Sequence, residues 1–185
     1  NWAKEYRLGN TVNNTGSDTG FIGYIDGNNT TISNFMPNGI EGGLIANATN
    51  MTIKNLNVVH SGAFSVNGAL GHQVDGATLE NVSLYTKHYW STGSGVLFNV
   101  IRYNNDINLK NVTIKFDSTG DIYSAGWSIF GTVADYSAGY YFTGKIYVDN
   151  VIVASGVDYQ LVAKNYMSES NWSTNVLDYG DGIVK

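Results

Sequence analysis

A short phrase recurs along the chain and constrains its fold more than any other feature. It consists of an apolar residue, a variable residue, Asn, then two apolar residues flanking a variable one. The copies are Ile32-Ser33-Asn34-Phe35, Ile53-Lys54-Asn55-Leu56-Asn57-Val58, Leu79-Glu80-Asn81-Val82-Ser83-Leu84, Leu109-Lys110-Asn111-Val112-Thr113-Ile114 and Val148-Asp149-Asn150-Val151-Ile152-Val153. The first copy is the poorest, because Met36-Pro37 follows it. A second phrase runs ahead of each copy: Gly20-Phe21-Ile22-Gly23, Gly43-Leu44-Ile45-Ala46, Gly68-Ala69-Leu70-Gly71, Gly95-Val96-Leu97-Phe98 and, more loosely, Ser128-Ile129-Phe130-Gly131. Gln160-Leu161-Val162-Ala163 reads as the start of a sixth round. Self-similarity on this length scale marks a repeat architecture.

The repeat is built of strands. Apolar and polar residues alternate on both sides of the Asn, and Val, Ile, Thr and Tyr dominate. Gly, Asn, Asp and Ser fill the intervals, leaving long helices nowhere to start. Asn tolerates the left-handed backbone that turns one strand sharply into the next. Stacked coils would place Asn34, Asn55, Asn81, Asn111 and Asn150 in one column, their amides bonded along the stack and buried in it. The expected fold is all-β: a single-domain parallel β-solenoid of about five to six coils spanning 20–163. Residues 1–19 would cap or cover the first coil, and 164–185, with Trp172 and Tyr179, would form a last coil or cap.

Successive Asn residues stand 21, 26, 30 and 39 positions apart. Strands cannot absorb this growth, so loops must: Thr86–Ser94, Asn99–Asn108, Asp117–Gly126 and Thr132–Gly144. Insertions in repeat proteins usually gather on a binding face. Aromatic residues cluster in or beside these loops, and with Arg102 they form the candidate ligand site: Tyr89, Trp90, Tyr103, Tyr123, Trp127, Tyr136 and Tyr140. Rings on loops offer stacking area for sugars or peptides at little entropic cost.

Two outer faces are expected to differ. Ser33, Lys54, Glu80, Lys110 and Asp149 precede the Asn and should stack as opposite charges on a solvated face. In the Gly phrase, Ile22, Ile45, Leu70, Leu97, Phe130 and Val162 are assigned inward. Alternation then sends Phe21, Leu44, Ala69, Val96, Ile129 and Leu161 outward as an apolar stripe. Such a stripe would be covered by loops or serve as a contact surface.

The phrases around Gly43-Leu44-Ile45-Ala46 and Thr52-Ile53-Lys54-Asn55-Leu56, with their copies, resemble the right-handed β-helix surface proteins of bacteria and archaea. These include GLUG-type repeat proteins and the pectate-lyase-like domains of lactobacillar and methanogen adhesins. The resemblance covers residues 20–163. It implies a right-handed parallel β-helix and an extracellular adhesin, attached to the cell surface or cell wall. It also raises polysaccharide lyases and hydrolases built on the same helix.

The remaining chemistry narrows these classes. A net charge of −5 with scattered basic residues offers no patch for nucleic acid or an anionic membrane. No apolar run is long enough to span a bilayer. Neither a secretory signal nor an initiator Met stands at Asn1, and the chain reads as an excised or mature fragment. Cysteine is absent, which removes disulfides and thiolate chemistry. Asp26, Asp75, Asp106 and Asp135 follow the Gly phrase beside turn residues and read as turn chemistry. Without an adjacent Asp pair or an Arg-x-Lys, no catalytic site is assigned.

His60, His72 and His88 lack metal-ligand spacing, and no metal or other cofactor is expected. Asp117 with Asp121 could still supply oxygen ligands to calcium. Asn-x-Ser/Thr triplets occur at Asn13, Asn28, Asn29, Asn47, Asn50, Asn81, Asn111 and Asn171. They are glycosylation acceptors only where the source glycosylates. The expected function is a non-enzymatic binding module for a glycan or matrix ligand. The alternative is a structural subunit of a surface layer, sheath or filament that self-associates through solenoid edges.

Overall fold

The computed structural model describes residues 22–35, 43–60, 68–86, 95–116, 127–133, 144–155, 159–162, 178–179 and 183–184. These form ten strands: β1 (Tyr24–Phe35), β2 (Ile45–His60), β3 (Gly71–Thr86), β4 (Phe98–Ile101), β5 (Ile107–Phe116), β6 (Trp127–Val133), β7 (Ile146–Ser155), β8 (Tyr159–Val162), β9 (Asp178–Tyr179) and β10 (Ile183–Val184). Every registered pairing among them is parallel. One ladder runs β1-β2-β3-β5-β7 and continues to β9 and β10; a second leaves β3 through β4 and β6 to β8. The chain is all-β with an open parallel sheet, an arrangement that fits a solenoid.

Repetition produces this stack because each inward position repeats in every coil. Ile25, Ile53, Leu79, Leu109 and Val148 are in register. So are Leu56, Val82, Val112 and Val151, and then Val58, Leu84, Ile114 and Val153. All are buried. Burying each Val, Leu or Ile contributes roughly 1.5–3 kcal/mol, so the stacked columns form the core.

The Asn bend is present. Asn55, Asn81, Asn111 and Asn150 have φ of 51°, 54°, 52° and 52°, in the left-handed region. Each carboxamide bonds to the coil before it. Asn81 Nδ2 donates to Asn55 Oδ1 at 3.0 Å, Asn111 to Asn81 at 3.0 Å, and Asn150 to Asn111 at 2.8 Å. Two expectations about the column are corrected. First, Asn34 is not a member. The register aligns Tyr24, Ile25 and Asp26 with Thr52, Ile53 and Lys54, and resumes at Thr30 opposite Leu56. A bulge over 27–29 stands opposite Asn55, with Asn28 and Asn29 both left-handed. Asn55 Nδ2 donates instead to Asp26 Oδ1 at 3.1 Å. Second, the ladder is not buried: Asn81, Asn111 and Asn150 are exposed and Asn55 half-buried. The bend points the carboxamides outward, where the bonds along the stack stay short although water is near.

The charged face is an unbroken alternation. Its first member is Asp26 rather than Ser33, and Asp26, Lys54, Glu80, Lys110 and Asp149 follow in register. Lys54 Nζ and Glu80 Oε2 are 2.5 Å apart. That hydrogen bond, then the charge behind it, raises the Lys54 amine and lowers the Glu80 carboxyl, with Lys110 lowering Glu80 further. One column on, Ser83 Oγ donates to Asn57 Oδ1.

The Gly phrase departs from expectation. Leu44, Ala69, Val96 and Ile129, assigned outward by alternation, are all buried, at 9%, 0%, 0% and 0% exposure. Leu70, Leu97 and Phe130 are buried too, while Ile22, assigned inward, is 69% exposed. Residues 69–70 and 96–97 lie in bends ahead of the strands. Side chains alternate strictly only along extended backbone, so the bends let consecutive residues at 69–70 and 96–97 face the core. Ile129 and Phe130 are both buried within β6, where no bend accounts for it. Bonds such as Leu44 N to Ala69 O and Ala69 N to Val96 O, both 2.9 Å, stack these bends. The register also shifts by one: Ile45, Gly71, Phe98, Phe130 and Val162 share a column, not Leu70 and Leu97. Phe98 and Phe130 stack at 6.1 Å between centroids, and a Cβ on Gly71 would meet the Phe98 ring at 3.2 Å and Val74 Cγ2 at 2.7 Å. Of the expected stripe, Leu44, Ala69, Val96 and Ile129 are covered and belong to the core, so these four form no exposed contact surface; the side chains of Phe21 and Leu161 lie outside the described residues.

Two predictions follow from the ladder and the charge column. Asn81→Leu should lose about 2–4 kcal/mol in urea unfolding, from the left-handed bend and two ladder bonds. Asn81→Gly, which keeps the bend, should lose less than Asn81→Leu. The second concerns pH. Glu80 is lowered from 4.5, so its contribution is full above that pH and is lost as pH falls through its folded value. Lys54 is raised from 10.5, so its contribution is full below that pH and is lost as pH rises through its folded value. Melts of Glu80→Gln should lie below the parent at neutral pH and converge with it at both extremes.

Candidate functional site

The coil has a second bend, and the chain grows there. In β2 and β3 the bend is tight. Asn50 has a φ of 50° and Gly76 one of 84°, and residues 49–50 and 75–76 separate the flanking core positions. At Gly76 a Cβ would lie 2.5 Å from Asn50 Oδ1 and 2.6 Å from Asn105 Cβ, so only glycine fits under that stack. In the next coil the insertion 102–106 breaks the strand into β4 and β5; in the one after, 134–145 separates β6 from β7. These bounds correct the loops expected at Asn99–Asn108 and Thr132–Gly144. Phe98–Ile101, Ile107 and Asn108, and Trp127–Val133 belong to strands paired with their neighbours.

Tyr103 occupies the bend in the fourth coil. Ile101 pairs with Val74, and Arg102 N donates to Val74 O at 3.0 Å. Counted from that strand, Tyr103 stands where Gly76 and Asn50 stand, and it too is left-handed, with a φ of 67°. Gly and Asn adopt that conformation readily; an aromatic residue there costs roughly 1–3 kcal/mol, and such residues concentrate at functional sites. The neighbouring side chain supports it: Arg102 is buried at 7% exposure, its Cζ 4.9 Å from the centroid of the Tyr103 ring. That distance suits a cation–π contact. Arg102 thus backs the ring, and Tyr103 is the half-exposed member of the pair.

The insertion is held from both adjoining coils. Asp75 Oδ1 accepts from the Asn105 backbone N at 3.4 Å and from Asn105 Nδ2 at 3.0 Å. On the other side Lys145 N donates to Asp106 Oδ1 at 2.8 Å. Carboxylates tie the loop to the coil below and the coil above, and hydrogen bonds to charged groups exceed neutral ones in strength. Asp26 behaves alike in the first coil, accepting from Asn28 N at 2.9 Å and from Asn55. The Asn28 N–H first, then the Asn55 carboxamide, hold its carboxyl below the ordinary value of 3.8. Sequence reading found these aspartates as turn residues and missed their joining of coils. The available signal was Asp75-Gly76 recurring as Asn105-Asp106 at one place in successive coils.

Of the candidate ligand residues, the structure brings together Arg102 and Tyr103. Trp127 begins β6, opposite Tyr159. Tyr89, Trp90, Tyr123, Tyr136 and Tyr140 lie outside the described residues, as do Asp117, Asp121, Asp135 and His88. His72 is buried in β3. Among the described residues no three His, Asp or Glu side chains gather where they could hold a metal. No described helix is long and apolar enough to cross a membrane. Asn81 and Asn111, each in an Asn-x-Ser/Thr triplet, spend their carboxamide N–H on the ladder. Compared with known proteins, the chain matches no family model, no curated protein and no solved structure.

Relief of strain at Tyr103 gives a test of this site. Tyr103→Gly should fold and melt at a higher temperature than the parent, because relief of a left-handed strain of roughly 1–3 kcal/mol exceeds the roughly 0.5–1 kcal/mol of chain entropy that glycine costs. Asp75→Ala should instead speed amide exchange at Asn105 while leaving the Asn55–Asn81 ladder protected.

Proposed function

We propose that this chain is a non-catalytic binding module of an extracellular surface protein, built as a right-handed β-helix. Its ligand is a glycan or a matrix protein, docked on the insertions of the fourth and fifth coils. The observation that carries the reading is Tyr103: a ring in a costly conformation, backed by buried Arg102, on a loop clamped by Asp75 and Asp106. Strain persists where the surroundings over-determine it, and a ring fixed before binding loses little entropy on contact. Tyr136 and Tyr140 fall in the insertion of the following coil and Trp127 just before it, so the sequence adds rings at the neighbouring level. The engagement of Asp26, Asp75 and Asp106 in bonds between coils supports a structural role for these carboxylates over an acid–base one.

A glycan array and a panel of matrix proteins, probed with the parent and with Tyr103→Gly, test the reading. The expected result is a defined set of ligands bound by the parent and lost in the variant, although the variant is the more stable. Equal binding by both would move the site elsewhere. New reducing ends or unsaturated products from acidic polysaccharides would replace the binding module by an enzyme.

A further inference from the structure

We infer that, of the described Asn-x-Ser/Thr triplets, the overlapping pair in the bulge of the first coil is the site of N-glycosylation, with Asn28 or Asn29 as acceptor. Triplets whose Asn is described begin at Asn28, Asn29, Asn47, Asn50, Asn81 and Asn111. A transferase has to seat all three residues of a triplet in its own site, so the middle residue must be free to leave its place in the fold. Four triplets do not allow this. Their middle residues, Ala48, Met51, Val82 and Val112, are buried in the core. Asn81 and Asn111 also donate their carboxamide N–H to the ladder, and Ser83 donates its hydroxyl to Asn57. Asn50 lies over Gly76, its Oδ1 2.5 Å from where a Cβ would stand.

The first coil differs. Asn28, Asn29, Thr30 and Thr31, which make up its two triplets, are all exposed, and neither triplet contains a core residue. Asn28 and Asn29 stand where the register with β2 is interrupted between Asp26 and Thr30, and both are left-handed, with φ of 48° and 58°. Asn28 is held by its backbone N–H, which donates to Asp26 Oδ1 at 2.9 Å; neither carboxamide makes a hydrogen bond among the described residues. Thr30 Oγ1 donates to Gly27 O at 2.6 Å, a bond local to the bulge that docking would release. Attachment then costs no bond to another coil. Nδ2 displaces pyrophosphate from C1 of a lipid-linked oligosaccharide: the N–C1 bond forms, the C1–O bond breaks and one Nδ2 proton leaves. Such bulky, solubilising groups belong at surface positions of this kind. The inference is independent of the binding reading, because the bulge lies at the corner opposite Asn55 and the Tyr103 insertion at the second bend.

The test uses the folded full chain, a lipid-linked oligosaccharide and an oligosaccharide transferase first shown to modify peptides spanning these triplets. Mass spectrometry of proteolytic fragments reads which asparagines carry sugar. The expected result is sugar on Asn28 or Asn29 and none on Asn47, Asn50, Asn81 or Asn111. The double variant Asn28→Gln/Asn29→Gln should lose the modification of that fragment. Should it fail to fold by circular dichroism, Thr30→Ala/Thr31→Ala, which keeps both asparagines, takes its place with the same expected loss. Absence of sugar from both bulge asparagines of the folded parent overturns the inference. Sugar on any of the other four overturns it as well, since the fold would then not select the acceptor.

Discussion

The structure depends on one backbone conformation, the left-handed residue at the corner of each coil. Asn is suited to it for two separable reasons. Its backbone accepts a φ near 50° more readily than other side-chain-bearing residues, so the strand can turn at a single position. Its carboxamide carries both a donor and an acceptor, so the side chain over one corner can bond to the corner on either side. Turning alone would leave coils free to slide. The ladder of Asn55, Asn81, Asn111 and Asn150 ties the corners together, and the flanking residues then follow in register. A slip of one residue would carry Leu79 and Val82 out of the core and put Glu80 in. Lys54 against Glu80 adds an electrostatic preference for the same register.

A stack held at one corner can vary at another. The second bend is tight at Asn50 and Gly76 and widens to 102–106, and the sequence between β6 and β7 is longer again, while the core columns remain aligned. Longer loops cost little extra closure entropy when their ends are already fixed. The scaffold thus offers positions where residues can be added without disturbing the core. In the fourth coil the added residues include a strained tyrosine, its supporting arginine and two polar clamps. Rigid framework and variable insertion are the division of labour expected of a recognition surface.

Much of this was legible in the sequence, and the failures have physical causes. Inward columns such as Ile53, Leu79, Leu109 and Val148 were readable because strand alternation persists on both sides of the Asn. Opposition of Lys54 and Glu80 followed from the same alignment. Asn34 misled because residue identity was used to align the first coil. Core register decides instead, placing Ile25 opposite Ile53 and leaving Asp26 to meet the ladder. Alternation failed in the Gly phrase because the chain there is bent, so Leu44, Ala69 and Val96 turn inward with their neighbours. The ladder's exposure was misjudged because a repeated polar residue in an apolar phrase resembles a buried one; the direction of the bend is not written in the pattern. Arg102 and Tyr103 were found as candidates by composition, but the strain of one and the burial of the other belong to three-dimensional structure.

Nuclear magnetic resonance of the carboxamide groups tests the central claim most directly. If a ladder of left-handed Asn corners holds the coils together, the Nδ2 protons of Asn81, Asn111 and Asn150 will exchange slowly despite their exposure. Each will also show a nuclear Overhauser contact to the corner of the coil before it, with Asn55 contacting Asp26 and Asn34 standing outside the series. Rapid exchange at all four carboxamides without contacts between successive corners, or a contact series that runs through Asn34 in place of Asp26, would contradict the account.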